Sequence, residues 1–544
     1  MLEKIYKTRF NALIFLFVLS SVLFIGLGKV HLFDWDEINF AESAREMIAS
    51  GNYLRVQIDF EPFWEKPPLF FWLQVIAMKL FGVNEFAARF PNAVFGFVYL
   101  ATLFLIGAKH FNKKFGLMWA LMYIGSILPH FYFKSGIIDP IFNYFIFTAI
   151  YFMVRSIHDE THNKRWAVFS GIMSGLSVLT KGPVGFLLLA LTLLVFVAVK
   201  GRKYFPSLLN ILTFFAGFIG IVSIWVGAEV FSNGLSILWQ FIDYQIGLLS
   251  SPVAGHKQPF YYHFVVVFIG CFPSSVFALP TFFNMRSKSP YELKVWMRSL
   301  FWVVMIVFTI VTTKIVHYSS MAYLPLSFLA TFYLFNVSWG RQSNRKWLRV
   351  LFLIIGLLLG SLLMTVPLLM VNKEILYPLI KDPFALAALQ LPVNWTGWEA
   401  SIWLFFLIAV LFTYFLLKRN RHFKAIAVIG LASFVSLELT LQFMVPKIEA
   451  HSQRSAIEFY EELSGEDCYV TTLGFKSYAH YFYFQQPDDQ NEQRKNKQWL
   501  LTGDIDKPAY FVSKITHKEA EQYDQLKKIG SKGGFDFYVR EVGK

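Results

Sequence analysis

Apolar runs long enough to cross a bilayer recur from residue 9 to residue 444, and this leaves few folds open. About 20 apolar residues buried in lipid must satisfy their backbone groups internally, which makes each such run a helix. The chain is read as an all-α polytopic membrane protein. With 56% hydrophobic and only 16% charged residues over 544 positions, it has too little polar surface for a soluble protein, and disorder, a coiled coil and a disulfide scaffold are excluded. Cys271 lies in an apolar run and Cys468 in the polar tail. These segments should fold separately, so no structural disulfide is expected.

Spans are expected near residues 9–30, 88–108, 115–133, 136–154, 166–180, 183–199, 207–228, 260–283, 299–313, 318–338, 348–371, 399–417 and 423–444, about thirteen in all. The formal net charge of +14 divides unevenly: +16 up to residue 450 and −2 beyond it. The excess lies in alternate loops, including KHFNKK, MRSKSPYELKVWMR and KRNRHFK. That is the positive-inside pattern, which places the N-terminus in the cytoplasm and excludes nucleic acid as the reason for the basicity. Lys4, Lys7 and Arg9 precede the first run, which lacks a small-residue cleavage site and reads as a retained anchor. An odd number of spans exports the C-terminus. The expected division is a transmembrane domain at 1–445, with a large outer loop at 31–87, and a soluble extracytoplasmic domain at 446–544.

The tail has ordinary globular composition. It shows a helix at RSAIEFYEELSG, β-type runs at DCYVTTLGF, AYFVSKI and FDFYVREV, and helical sequence at HKEAEQYDQLKK. A small α/β domain is expected.

The outer loops carry the chemistry. Residues 31–87 hold nine of the 21 acidic residues of the membrane part. From Asp36 the sequence has helical periodicity, with Phe40, Ala41, Ala44, Met47 and Ile48 on one face and Glu37, Glu42, Arg45 and Glu46 elsewhere, as for a helix lying on the membrane surface. Asp34 and Asp36 stand at its start, where N-capping alone would account for aspartate. Glu65 and Lys66 precede a Pro-Pro step that makes the backbone rigid, among Phe63, Trp64, Phe70 and Trp72. A lysine so held suits the phosphate of a lipid carrier. Asp139 starts a span, and Lys181, Lys314, His317 and Tyr318 sit at span ends on the same side, where snorkelling is the plain alternative for the lysines. His256, Lys257 and His263 lie among aromatics in an outer loop; a divalent metal there matches no strong zinc spacing. Glu438, deep in the last span, is expected to pair with a polar neighbour. No Gly-rich phosphate loop in a strand-turn-helix context occurs, which argues against a nucleotide cofactor.

The motifs DEINFAESAREMIASGNY, EKPPLFFWL, NEFAARFPNAVFG, LTKGPVG, HKQPFYY and KIVHY followed by LP stand in this order over most of residues 30–330. In that order they resemble the polyprenyl-phosphate-dependent glycosyltransferases of GT-C type, a family related to protein O-mannosyltransferases, and most of all the bacterial aminoarabinose lipid A transferases. The sequence departs from the pattern at Asn39, where a basic residue is usual, and at Phe40, which replaces tyrosine. The resemblance implies the GT-C fold and a sugar donor on a polyprenyl phosphate. It also implies a lipid or protein acceptor, residence as a monomer in the bacterial cytoplasmic (inner) membrane, and inversion at the sugar carbon. It implies Asp36 as base and Asp139 as the second carboxylate of the cavity. Lys66, Lys257, Lys314 and Tyr318 become donor-phosphate ligands, and Glu65 and His256 the place of a divalent metal ion. A transporter or lipid flippase is the rival class. It would call for repeat symmetry and ionisable groups near the bilayer midplane.

Overall fold

The computed structural model describes residues 5–250, 258–283, 289–488 and 491–543. Eight helices there are long and apolar enough to cross a membrane, among them Glu85–His110, Asp139–His158, Leu208–Asn233, Val316–Ser338 and His422–Ala450. A ninth span results if Lys113–Ile124 and Ile127–Phe133, bent by 79° at their junction, are one crossing. The other four expected spans take other forms. Arg9–Phe24 and Val184–Lys200 are shorter apolar helices. Asn163–Lys181 is diluted by Ser and Gly, and residues 260–283 divide into Tyr262–Gly270 and Ser274–Phe282. Window hydropathy counts apolar residues and is blind to such breaks.

The helices pack as membrane helices do, through small residues. Asn163–Lys181 lies against Leu208–Asn233 so closely that a Cβ on Gly171 would stand 1.9 Å from the Phe214 carbonyl oxygen. Residues 319–337 of Val316–Ser338 are buried inside the bundle, whereas Leu208–Asn233 is mostly exposed. Deep in the bundle, Glu438 accepts from Lys134 at 2.6 Å and lies 3.3 Å from His130, the polar pairing expected of a carboxylate in lipid. Cys271 and Cys468 are both free and buried.

The loop after the first helix carries Asp36–Ser50, a small hairpin of β1 (Gln57–Ile58) and β2 (Glu61–Pro62), and the apolar helix Leu69–Phe81. The expected helix from Asp36 is present, but it is not a surface helix: every residue from Glu37 to Met47 is buried. Its apolar face joins Phe70, Phe71, Ile138, Tyr460, Phe482 and Phe535 in a single cluster. The loop after the first helix, the start of Asp139–His158 and the tail therefore share one core.

The tail contains a four-stranded sheet in the order β3 (Tyr469–Leu473), β4 (Ala509–Lys514), β6 (Phe535–Arg540), β5 (Lys527–Lys532). β3 runs parallel to β4, and the other two pairs are antiparallel. Three strands and the helix Arg454–Glu462 stand where the sequence predicts. The segment HKEAEQYDQLKK instead gives a 3-10 turn at Ala520–Gln522 and then enters β5. β5 is an exposed edge strand rich in lysine, so neither burial nor β-propensity marks it in the sequence. The short helices Ala479–Phe484 and Lys497–Thr502 lack the length for a periodic signal. Ala479–Phe484 packs directly on Asp36–Ser50.

Candidate active site

Asp36 is the first residue of its helix. The residue before it, Trp35, makes no side-chain cap, and Asp34 does not cap either: its carboxylate accepts from the Tyr478 amide of the tail at 3.4 Å. Capping therefore does not explain these aspartates. The Asp36 carboxylate faces His317, whose Nε2 lies 3.3 Å away. The same nitrogen is 4.0 Å from Asp139 Oδ2. Asp139 is buried at the start of its own helix, and its other oxygen accepts from Lys181 at 2.6 Å and from Ser320 at 3.5 Å. Lys181 is thus held by a carboxylate and does not snorkel. Its ammonium also lies 5.5 Å from the Tyr318 ring centre.

Lys66 donates to Glu65 at 2.5 Å. Burial alone would push its ammonium down, but the carboxylates of Glu65 and Asp36 hold it above the ordinary lysine value. It stays a full cation beside Asp36. Together these ionisable residues converge from five segments that are distant in sequence.

The neighbouring residue sets the position of Asp36. Glu37 accepts from Arg89 Nε at 2.8 Å, from Arg89 Nη2 at 2.9 Å, from the Phe33 amide at 2.8 Å and from the Gly136 amide at 2.5 Å. Burial would raise its pKa, but Arg89 and the two amides outweigh burial and lower it. Gly136 is three residues from Asp139, and a Cβ there would meet Glu37 Cγ at 3.1 Å. A single carboxylate thereby ties the Asp36 helix to the Asp139 segment. Asn92 grips the same segment through the Ser135 and Ile137 carbonyls, at 2.6 Å each. Periodicity placed Glu37 off the apolar face, and this buttress is the correction: an ion pair with an arginine 52 residues away buries the carboxylate.

Of the remaining expected ligands, Lys314 is buried and turns back on the Val311 carbonyl at 2.9 Å, while Tyr318 lies beside Lys181 and His317. His256 and Lys257 fall outside the described residues. His263 is fully buried at the start of its helix. For a metal, the described residues give Glu65 a cation already, Lys66. The three metal-ligating side chains they do group together, His31, Glu85 and Glu461, with ligand atoms within 4.8 Å of one another, do not include it. No metal cage surrounds Glu65 among the described residues. His317 and Lys181, which the sequence reading set at span ends without a role, complete the site. The only sequence signal of His317 is its place between Lys314 and Tyr318 in KIVHY.

Residues 65–226 match the family described as dolichyl-phosphate-mannose-protein mannosyltransferase. The chain is 23% identical, over 86% of its length and 81% of the relative's, to the undecaprenyl phosphate-alpha-4-amino-4-deoxy-L-arabinose arabinosyl transferase of Wigglesworthia glossinidia brevipalpis. It is 25% identical to the second such transferase of Proteus mirabilis, over 63% of the chain and 60% of that protein. Its fold is that of ArnT from Cupriavidus metallidurans. The TM-score is 0.75 in the apo state and 0.73 in the state bound to undecaprenyl phosphate, with 98% of each chain covered at 17% and 18% identity. Matched segment, relatives and fold all point in one direction: the chain is similar to the aminoarabinose transferases in sequence and shares the fold of ArnT.

Proposed function

We propose that this chain is a membrane glycosyltransferase that moves a sugar from a polyprenyl phosphate to a lipid acceptor of the lipid A class, at the outer face of the bacterial inner membrane. The observation that carries this reading is the convergence of Asp36, His317, Asp139 and Lys181 on one another, with Lys66 beside Asp36. The relatives named as undecaprenyl phosphate-aminoarabinose transferases and the like-folded ArnT bound to undecaprenyl phosphate support it.

The chemistry follows from the charges. Lys66 neutralises the carrier phosphate as the bond between sugar carbon and phosphate oxygen breaks. Asp36 takes the proton of the acceptor hydroxyl while its oxygen forms the new bond, and attack from the opposite side inverts the sugar carbon. His317 orients Asp36 and links it to Asp139, which accepts a hydrogen bond from Lys181. The finer topology belongs to the same reading: thirteen crossings, a cytoplasmic N-terminus, the division at residue 445, an extracytoplasmic tail and a monomeric chain. A divalent ion between Glu65 and His256 is a further proposal, and no step above depends on it. A transporter is less well supported, because Glu438, the carboxylate within a span, is already paired with Lys134.

The decisive experiment is reconstitution with an undecaprenyl phosphate-linked sugar and a lipid A acceptor, with mass spectrometry of the product. Lys66→Ala should abolish most transfer while the protein stays folded, and Lys66→Arg should rescue it poorly because a planar fork replaces a point charge. Undiminished transfer by the alanine variant would remove Lys66 from the mechanism.

A further inference from the structure

Where the tail meets the outer loop, a cavity of about 530 Å³ opens at the carboxyl end of β3. That volume lies in the range of small-molecule sites. The cavity is cationic: its lining includes Lys476, Arg494, Lys495 and Lys497 against Asp59 and Glu519. Two side chains in the lining are more than nine-tenths buried and carry nitrogens without a partner among the described residues, Nε of Arg494 and Nδ1 of His480. Both nitrogens lie behind the wall of the cavity, out of reach of solvent, so the donors open to an occupant are the lysine ammoniums.

The cations are not spent equally. Arg494 donates to Asp59, and Lys495 pairs with Glu61 outside the cavity. Lys476 and Lys497 form no ion pair among the described residues. The Lys476 ammonium lies 4.9 Å from the Trp35 ring centre and 5.3 Å from that of Tyr478. Tyr469, Phe475 and Tyr481 add aromatic walls. Unpaired ammonium groups recognise a phosphate, and flat aromatic surface recognises the apolar face of a sugar ring.

We propose that this cavity binds a phosphomonoester carried on a sugar-sized group, a site separate from the one around Asp36 and independent of the transfer reaction assigned there. The phosphate oxygens accept from Lys476 and Lys497, and the Arg494 guanidinium in the wall adds positive charge behind them. The phosphate can come from a lipid headgroup or from a soluble sugar phosphate.

The test uses the full chain in phosphatidylcholine nanodiscs, with glucose 1-phosphate as probe, glucose as comparator and calorimetry as readout. Glucose 1-phosphate should bind saturably and glucose should not. The double variant Lys476→Gln, Lys497→Gln should weaken binding at least about tenfold with an unchanged unfolding midpoint, and Lys497→Arg should keep it. Phosphatidic acid added to the nanodiscs distinguishes the sources. Displacement of the probe identifies a lipid headgroup, and undisturbed binding identifies a soluble ligand; both outcomes support the site. Absence of saturable binding, or a double variant that binds as the native chain does, overturns it.

Discussion

At the scale of single residues, His317 is the hub, because one nitrogen faces both Asp36 and Asp139. Asp36→Asn keeps the size of the side chain and removes its basicity, so transfer should fall by roughly 10² to 10⁴, the usual worth of general acid-base catalysis, while donor binding persists. A near-normal rate with Asp36→Asn, alongside an inactive Asp139→Asn of equal stability, would assign the base to Asp139 instead. His317→Ala should lower kcat with little change in KM and should alter the pH profile of kcat/KM, since His317 acts through Asp36. A purely structural role would leave that profile in place. Glu46 provides a separate pH signature. Buried, and next to Glu42, its carboxyl is raised from 4.5 to about 9, while its oxygens accept from the Asp59 and Phe60 amides at 2.6 and 2.9 Å. The folded protein therefore holds a proton that the unfolded chain releases above 4.5. This contribution is complete below pH 4.5 and is lost as pH rises toward 9. Unfolding midpoints in detergent should fall over that window, and Glu46→Gln, neutral throughout, should flatten the slope. An equal slope in the glutamine variant would place the titration elsewhere.

At the scale of elements, the helix Asp36–Ser50 is a buried strut between membrane helices and tail. Its charged face is matched residue by residue. Glu37 meets Arg89, and Glu42 takes both Nε and Nη2 of Arg45 at 2.8 and 2.7 Å, while Arg45 also donates to the Gln486 carbonyl at 2.8 Å. Breaking one member of a buried pair strands the other charge and costs about 3–5 kcal/mol. Glu37→Leu should therefore lower the unfolding midpoint markedly, and it should depress transfer further because the Asp36 helix loses its tie to Gly136. The double variant with Arg89→Leu should recover much of the stability. A double variant no better than the single would mean that the backbone contacts of Glu37, and not the ion pair, carry the effect.

At the scale of the whole molecule, the tail is seated on the loop after the first helix through Arg494 with Asp59 and through Tyr483, whose hydroxyl accepts from the Leu32 amide at 2.6 Å. Gln453 donates to the Leu32 carbonyl at 2.6 Å. Deleting residues 451–543 should expose the Asp36 helix, and limited proteolysis should then cut between residues 34 and 60, where the full chain resists. Equal protection in both would show that the membrane helices hold the loop unaided. The charge alternation of the loops adds a prediction for the complete chain: alkaline phosphatase fused to the C-terminus should be active and a green fluorescent protein fusion dark. The reverse would mean a miscounted span.

Much was legible in the sequence because it depends on local composition. Lipid forces apolar runs into helices, prolines at 67 and 68 stiffen the segment holding Lys66, and three of the four tail strands announce themselves by β-branched and aromatic residues. Asp36, Lys66 and Asp139 could be singled out because their motifs are short and contiguous. Tertiary structure alone decided which charges are buried and whom they face. Periodicity sorts residues by apolarity, so it set Glu37, Glu42, Arg45 and Glu46 off the apolar face of a surface helix, although each finds a partner inside. The pairings of Glu37 with Arg89, His317 with Asp36 and Lys181 with Asp139 join residues 52, 281 and 42 positions apart. The free energy of burying a charge depends on that partner, and a partner so far along the chain leaves no local mark.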